Sequence, residues 1–404
     1  MASSGKNKPA SPLTPALLGR YKPAKIFKGS VEPPNAPSSP GRPQPPRHIT
    51  GMAFDDFGDT LVTAAEDETF RLYNCKTGKQ VSVPAFAPAT DLTKYGVDLP
   101  RFTHKNTTIL HTSTKDDDTI RYHSLHDNKY LQYFKGHKKQ VVSMEVHPLE
   151  DTFMSGSMDN TVRLWDLRTP NCRGLLNLPS APIVAYDPAG MVFAVAINTY
   201  QRILLYDIKL FDKDPFLSIE LKDPYLSKIS FPPRKPWITS MSFSTNSKWI
   251  LVGTAGDVHY ILDAFDGNLL ARLEGFRGLE GGKTGDHFGV MPVKGISGEE
   301  VGWTTDSKFI FSGSQPGKIY FWDASMIPAT PAPEGENARV ITPTVTLDGH
   351  PGPSRCVKFN PRYQMFASAG AELAFWLADI ANEAEKSEDE NKETAKGKER
   401  AAFS

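Results

Sequence analysis

The chain has 404 residues, of which 39% are hydrophobic, and its basic and acidic side chains balance to a formal net charge of zero. This balance excludes the strong positive charge of a general nucleic-acid binder, and three widely separated cysteines exclude a disulfide framework or a cysteine metal site. No apolar run reaches the roughly 18 residues that a membrane helix needs, and no secretory signal precedes residue 20. The composition favours a reducing compartment, cytosol or nucleus.

The two ends of the chain differ in charge from the body between them. Residues 1–47 contain eight Lys or Arg and one Glu, whereas residues 383–404 contain seven acidic and five basic residues. Residues 1–19 are predicted to be a disordered basic arm, and residues 382–404 a charged tail. The stretch 29–47 holds seven prolines and is predicted to be a flexible insertion.

The body, residues 20–381, repeats one pattern of apolar strand, polar turn and apolar strand. Its best copy runs from Gly156 to Asp166 and ends in Trp-Asp, as a WD repeat does. The equivalent third-strand positions of the copies are Tyr73, His123, Trp165, Tyr206, Leu262, Trp322 and Trp376. The two shortest spacings between them, 41 and 42 residues, match the repeat unit of about 40–45 residues. The pattern therefore predicts an all-β, seven-bladed WD40 β-propeller in one domain.

The remaining elements of the body are a closing strand and three insertions. Tyr21 to Lys28 precedes blade one and is predicted to be the outer strand of blade seven, which would protect an open sheet edge. Residues 209–236, 274–300 and 324–343 lengthen the spacing between later blades and are predicted to be loops.

Blade three contains the polar residues of a well-formed repeat. His137, Ser155 or Ser157, Asp159 and Trp165 are predicted to form a buried hydrogen-bond set with a structural role. A second pattern is formed by Arg71, Arg121 and Arg163, which stand two residues before the third-strand positions of three successive blades. Three aligned guanidiniums are a candidate reader of a phosphorylated or acidic peptide; the alternative is that their stems pack along the strands.

Catalytic and metal-binding motifs are not found in the sequence, so we expect no enzyme activity, no cofactor and no metal site. A propeller active site built from scattered loops and RNA binding through the basic arm stay open as alternatives. So does a further binding role, because Trp165-Asp166-Leu167-Arg168 fits the motif of propellers that act as substrate receptors of cullin-type ubiquitin ligases.

Several segments outside the repeat pattern resemble one family. They are Tyr95 to His104, Asp118 to Tyr122, Ser124 to Tyr130, Asp166 to Cys172, Tyr206–Asp207 with Phe211 to Phe216, Phe366 to Ala369, and Phe375 to Leu377. They are similar to the propeller subunit of the COMPASS histone-lysine methyltransferase, which also serves the cleavage-and-polyadenylation and protein-phosphatase machinery acting on RNA polymerase II. The similarity covers roughly residues 20–380, in order.

The resemblance implies a non-catalytic nuclear scaffold of chromatin and of transcription termination. Its implied partners are a segment of the methyltransferase catalytic subunit, a scaffold subunit of the mRNA 3′-end polyadenylation factor and the phosphorylated RNA polymerase II tail; neither a membrane nor specific nucleic acid is expected. The family-specific loops from Tyr95 to His104 and from Leu125 to Tyr130 are the candidate partner-binding segments; the alternative is that they are fourth strands with a structural role. Their candidate contact residues are Tyr95, Asp98, Arg101, His104, His126, Asp127, Asn128 and Tyr130.

Overall fold

The computed structural model describes residues 12–32, 46–81, 95–279 except 230, 232 and 234, and 298–379. The described strands form seven sheets. Those of the chain's start and of blades one to three are β1 (Tyr21–Phe27), β2 (Ile49–Phe54), β3 (Thr60–Ala65), β4 (Phe70–Asn74), β5 (Lys79–Val81), β6 (Asp98–Phe102), β7 (Thr108–Thr112), β8 (Ile120–Ser124), β9 (Lys129–Phe134), β10 (Val141–Val146), β11 (Thr152–Ser157), β12 (Thr161–Asp166) and β13 (Cys172–Asn177).

Blades four to seven follow in the same order. Their strands are β14 (Pro182–Tyr186), β15 (Val192–Ile197), β16 (Arg202–Asp207), β17 (Leu217–Glu220), β18 (Ile238–Phe243), β19 (Trp249–Thr254), β20 (His259–Asp263), β21 (Leu269–Leu273), β22 (Val301–Trp303), β23 (Phe309–Ser312), β24 (Ile319–Asp323), β25 (Arg339–Ile341), β26 (Val345–Leu347), β27 (Cys356–Phe359), β28 (Met365–Ala369) and β29 (Leu373–Ala378). The helices are α1 (Pro15–Leu18), α2 (Pro224–Ile229) and two 3₁₀ turns, Ile208–Leu210 and Ala324–Met326.

The seven sheets close into a ring. The innermost strands β2, β6, β10, β14, β18, β22 and β27 contact one another in this order, and β27 contacts β2. Each predicted third-strand position lies on the third strand of its blade, from Tyr73 on β4 to Trp376 on β29. The prediction of a seven-bladed propeller is confirmed.

The hydrophobic core lies between neighbouring blades rather than within one sheet. One cluster, for example, joins Ala194 and Ile203 of blade four to Ile250, Val252 and Tyr260 of blade five. Because both faces of a blade are covered, the second strands are buried along their whole length, as β7, β11 and β28 show. A single blade has no such cover, so the closed ring stabilises every blade at once.

The chain's first strand closes the ring, as predicted. Strand β1 pairs antiparallel with β29, with Ile26 opposite Ala374 and Phe27 opposite Leu373. The prediction that residues 1–19 are disordered is wrong for residues 12–19. Thr14 caps α1, and Leu18 is fully buried in the cluster between blades six and seven, so apolar burial outweighs the cost of ordering this turn. Residues 1–11, 33–45 and 380–404 lie outside the described residues.

Two of the predicted loop insertions contain regular structure. Strand β25 lies within 324–343 and pairs in parallel with β21, so that it becomes a fifth strand of blade five before β26 returns to blade six. The segment 209–236 contains β17, the outer strand of blade four, and α2. The loop interpretation was wrong because strands of three or four residues are too short for a readable alternation. Of 274–300, the structure describes only 274–279 and 298–300.

The turns between first and second strands bind one another around the ring. Asn360 Nδ2 donates to Gly58 O at 2.7 Å, which joins blade seven to blade one. His104 Nε2 donates to His147 O at 3.0 Å, and His147 Nε2 donates to Gly190 O at 2.9 Å, which joins blades two, three and four. These turns are therefore fixed in relation to one another. Among the described residues, none of the helices is long and apolar enough to cross a bilayer.

Candidate peptide-binding surfaces

Blade three contains the predicted hydrogen-bond set. Trp165 Nε1 donates to Ser155 Oγ at 2.8 Å, and Ser155 Oγ lies 2.8 Å from His137 Nε2. His137 Nδ1 lies 3.1 Å from Asp159 Oδ2. The charged acceptor assigns the imidazole proton to Nδ1, so the serine hydroxyl donates to Nε2. Ser157 stands beside the set, where its Oγ donates to Lys139 O at 2.7 Å and accepts from the Asp159 amide.

The charges of this set are those of a neutral imidazole and an ionised carboxylate. Burial lowers the pKa of His137 from its usual value, although Asp159 acts in the opposite direction. Burial opposes ionisation of Asp159, but hydrogen bonds from Thr161, the Lys138 amide and His137 outweigh it and lower its pKa to about 2. Because its polar groups are paired with one another in this way, the set stabilises the blade and does not bind a partner.

The first candidate partner-binding segment, Tyr95 to His104, is not an exposed loop. It contains β6, the inner strand of blade two, so the prediction of a surface loop was wrong. Asp98 accepts a hydrogen bond from Thr50 Oγ1 at 2.9 Å, and His104 lies 3.2 Å from Asp56. These contacts pack blade two against blade one, which is a structural role.

The second segment, Leu125 to Tyr130, is a turn followed by the start of the outer strand β9. His126 and Asp127 are exposed, and Asn128 adopts a left-handed backbone with φ 54°. Asn128 Oδ1 lies 2.9 Å from His123 Nε2, and the Tyr130 ring packs 4.9 Å from the His123 ring. Only the exposed tip of the turn is therefore accessible to a partner.

Two of the three arginines in register are buried and paired. Arg71 lies 2.8 Å from Asp67, and Arg121 lies 2.9 Å from Asp117, in each case four residues earlier on the same turn. The Arg121 guanidinium also stacks on the Tyr95 ring at 4.0 Å. Both cations are thus neutralised by their own blade, and the structure does not bring three free guanidiniums together.

Arg163 is the exception among the three. The equivalent turn carboxylate, Asp159, is already occupied by His137, the Lys138 amide and the Thr161 hydroxyl. No carboxylate of the described chain lies within ion-pair distance of Arg163, and its buried Nε has no hydrogen-bond partner there either. A Cβ on Gly136 would lie 2.6 Å from Nη1 of Arg163, so a larger residue there would have to displace the guanidinium.

The inner strands surround a central cavity of about 350 Å³ with a charged lining that the sequence did not reveal. Arg101 Nη2 lies 2.6 Å from Glu299 Oε1, and Lys358 Nζ lies 3.0 Å from Glu299 Oε2. Glu145 lies 3.6 Å from the same arginine. Burial opposes ionisation of Glu299, but the two cations outweigh it and lower its pKa to about 2. The network therefore ties together blades two, three, six and seven.

The motif Trp165-Asp166-Leu167-Arg168 has a local structural explanation. Arg168 Nε and Nη2 donate to the Asp166 carboxylate at 2.9 and 2.7 Å, and the arginine side chain is 74% exposed.

For metal binding, no group of three or more His, Cys, Asp or Glu comes together within the described ranges.

Comparison with known proteins identifies the family. The model described as "WD domain, G-beta repeat" matches residues 44–74, 128–166 and 341–372. The chain is 40% identical to WD repeat-containing protein 82 of Drosophila melanogaster, over 90% of this chain and 96% of that protein. It is 35% identical to the Set1 complex component swd2 of Schizosaccharomyces pombe, over 81% and 92% of the two chains. It is 31% identical to the COMPASS component SWD2 of Saccharomyces cerevisiae, over 82% and 91%.

The chain belongs to this WD-repeat family. The family resemblance noted in the sequence is therefore confirmed. The repeat model matches around blades one, three and seven, whereas the relatives match along nearly the whole propeller. The similarity to the relatives therefore extends to blades that the repeat model does not match.

Proposed function

We propose that the protein is a non-catalytic adaptor subunit of a nuclear histone-lysine methyltransferase complex of the COMPASS type. The observation that carries this proposal is the similarity over more than 90% of the length of relatives whose names place them in the Set1 complex and in COMPASS. A rigid ring that presents turns and sheet edges is suited to holding short linear segments of larger partners. The segment we expect it to hold belongs to the methyltransferase catalytic subunit.

An adaptor role is also supported by the state of the polar groups inside the ring. The Arg101, Glu145, Glu299 and Lys358 side chains of the cavity pair with one another. His137 and Asp159 are likewise engaged in the structural set of blade three. A general acid or base needs a group that is free to exchange a proton with a substrate, and these groups are occupied.

We further propose that the same propeller serves the mRNA 3′-end machinery, through a scaffold subunit of the polyadenylation factor and the phosphorylated RNA polymerase II tail. The feature that supports the phosphorylated ligand is Arg163, whose charge no described carboxylate neutralises. A guanidinium in this state gains more from a phosphate than one already held by an aspartate. Lys138 and Lys139 are exposed nearby on the same side of blade three and add positive charge.

Affinity purification of the tagged protein from nuclear extract, with cross-linking mass spectrometry, tests the adaptor role. We expect the methyltransferase catalytic subunit and polyadenylation-factor subunits, cross-linked to the propeller. Recovery of cytosolic partners alone would contradict the proposal.

Fluorescence anisotropy with phosphorylated and unphosphorylated polymerase-tail peptides tests the role of Arg163. The wild type should prefer the phosphorylated peptide, and Arg163→Gln should lose that preference by about tenfold, since hydrogen bonds to charged groups contribute ~1.5–3 kcal/mol. Arg163→Lys is the matched control and should retain part of the preference. Equal binding of both peptides by the wild type would exclude Arg163 as a phosphate reader.

A further inference from the structure

Two neighbouring turns of blades three and four leave large apolar side chains in solvent. Leu149 is 71% exposed on the turn before β11, and Met191 is 63% exposed on the turn before β15. Leu210, in the 3₁₀ turn that follows β16, is 46% exposed. We call Leu149, Glu150, Asp151, Met191 and Leu210 the acidic turn patch.

Hydrogen bonds hold the three parts of the patch next to one another. His147 Nε2 donates to Gly190 O at 2.9 Å, and His147 Nδ1 accepts the amides of Leu149 and Glu150 at 3.1 and 2.9 Å. The Ile208 amide donates to Met191 O at 3.0 Å, which brings the Leu210 turn against the same loop. The apolar side chains therefore stand on a fixed backbone, and little entropy is lost when a partner binds them.

The family-like segment after Tyr206 fixes the outer side of this patch. The Phe211 ring lies against Gly174 of β13, where an added Cβ would come within 2.5 Å of the ring. Phe211 thus anchors the segment that follows Leu210 to blade three. Leu210 itself stays outside the cluster in which Phe211 is packed.

Carboxylates flank the apolar side chains. Glu150 and Asp151 are exposed, and neither forms an ion pair with another described residue. Two cations of the same blade, Arg168 and Arg173, instead lie 2.7 and 3.8 Å from Asp166. The Tyr186 hydroxyl is buried without a hydrogen-bond partner in the described chain, and the charge of Glu150 acts on it.

Other exposed apolar residues on this side of the ring have different surroundings. Phe57 and Tyr363 stand beside cations, since Arg362 lies over the Phe57 ring at 5.9 Å and Lys76 over the Tyr363 ring at 5.8 Å. Phe265, 89% exposed, projects from the turn between β20 and β21 in blade five. The patch of blades three and four combines adjacent apolar groups with unpaired carboxylates, which selects for a basic and apolar ligand.

We propose that the acidic turn patch binds a partner peptide in which apolar side chains are flanked by Lys or Arg. The apolar side chains cover Leu149, Met191 and Leu210, and the basic ones pair with Glu150 and Asp151. This proposal rests on the adaptor function and specifies where a partner segment binds and what chemistry it has.

Overlapping synthetic peptides that tile the methyltransferase catalytic subunit are the probe, measured by fluorescence anisotropy against the full-length protein. The peptides that bind should be basic and apolar. The surface variant Leu149→Glu with Met191→Glu should weaken their binding by about tenfold or more, as loss of central anchors does. Glu150→Lys with Asp151→Lys should also weaken binding and should reduce its sensitivity to salt.

Phe265→Glu is the control, because it places a new charge of the same sign on an exposed apolar residue of blade five, outside the patch. It should bind the peptides as the wild type does, with all variants checked for an unchanged melting temperature. Binding of acidic peptides only, undiminished binding by the patch variants, or binding of no tile at all would each overturn the proposal. So would a change in self-association alone, seen by analytical ultracentrifugation, since the occupant would then be a second copy.

Purification of wild type and patch variant from nuclear extract separates this proposal from the adaptor function. If the wild type recovers no methyltransferase, the adaptor function fails. If wild type and patch variant recover it equally, the adaptor function stands and the patch proposal fails.

Discussion

Blades two and three are neighbours with the same strand register, yet they fill the same buried positions differently. In blade three, Ser155 and Trp165 belong to a chain of hydrogen bonds that ends on a carboxylate. In blade two the corresponding positions hold His111 and His123. These rings pack instead on aromatic neighbours, His111 at 4.8 Å from Phe70. These two buried positions accept either arrangement as long as they are filled by uncharged groups. Burial keeps both blade-two histidines neutral by lowering their pKa.

The two blades also differ in the group that binds the aspartate of the turn before the third strand. This difference decides which arginine is left for a ligand. Asp159 of blade three is held by His137, whereas Asp117 of blade two is held by Arg121. Within the described chain, blade two has no histidine bound to its turn aspartate, so its arginine, Arg121, forms the ion pair with Asp117 instead. Blade three, which resembles the repeat pattern most closely, is the one that leaves its arginine, Arg163, uncompensated.

Removal of the buried aromatic side chain at the third-strand position of each blade should give the largest losses of stability. Trp165 is fully buried and hydrogen-bonded, so Trp165→Ala should lower the free energy of unfolding by ~3–5 kcal/mol. His123→Ala should cost less, about 1–3 kcal/mol, because a smaller ring and one hydrogen bond are lost. Urea denaturation followed by circular dichroism measures both. Equal losses would show that the two blades do not differ in the way described.

The turn carboxylate of blade three should give the next largest effect. Asp159→Ala leaves the His137 imidazole and the Lys138 amide without their acceptor, and we expect a loss of about 1–3 kcal/mol. The double variant with His137→Ala should cost less than the two single losses together, because both remove one interaction. The control double variant, Asp159→Ala with His350→Ala of blade seven, should be additive. Additivity in both pairs would contradict a coupled set.

The propeller itself could be predicted because its signals are local and repeated. The Trp-Asp ending of blade three and the polar turns gave the register of all seven blades, and the isolated strand at Tyr21 gave the closure. Strand β25 could not be predicted, since its partner strand β21 lies far away in sequence and the segment is only three residues long.

The candidate site was harder to predict for a different reason. The segment Tyr95 to His104 departs from the repeat pattern, but sequence does not distinguish a residue that binds a partner from one that packs two blades together. Whether each arginine pairs with its turn aspartate depends on whether another side chain already binds that aspartate. In blade three that side chain is His137, which lies 26 residues before Arg163. The cavity network joins Arg101 to Glu299 across half of the chain, and no spacing rule links them.

Buried His111 of blade two should contribute a pH dependence to stability. Burial lowers the pKa of His111 well below its usual value, so in acid the unfolded chain binds a proton that the folded chain does not. The contribution is therefore constant above about pH 6.5, the usual imidazole pKa, and is lost as the pH falls below it. Unfolding free energies at pH 7.5 and 5.5 measure this slope, which is at most ~1.4 kcal/mol per pH unit for one proton. His111→Phe should have the shallower slope, and an unchanged slope would mean that His111 titrates normally.

The smallest effect is expected at the end of the third strand, where only blade three has the Trp-Asp-x-Arg motif and blade two continues from His123 as Ser-Leu-His. Arg168 is largely exposed and, among the described residues, forms an ion pair with Asp166 alone. Exposed ion pairs contribute little to stability. Arg168→Ala should therefore leave the melting temperature and the recovery of the methyltransferase subunit unchanged. Asp166→Ala is the comparison variant with the larger structural change, because Asp166 also accepts the Arg168 amide at 3.0 Å and so fixes the turn. If the wild type instead recovered a ubiquitin-ligase adaptor that Arg168→Ala lost, the arginine would have a partner beyond its own turn, and blade three would differ from blade two by a second binding function.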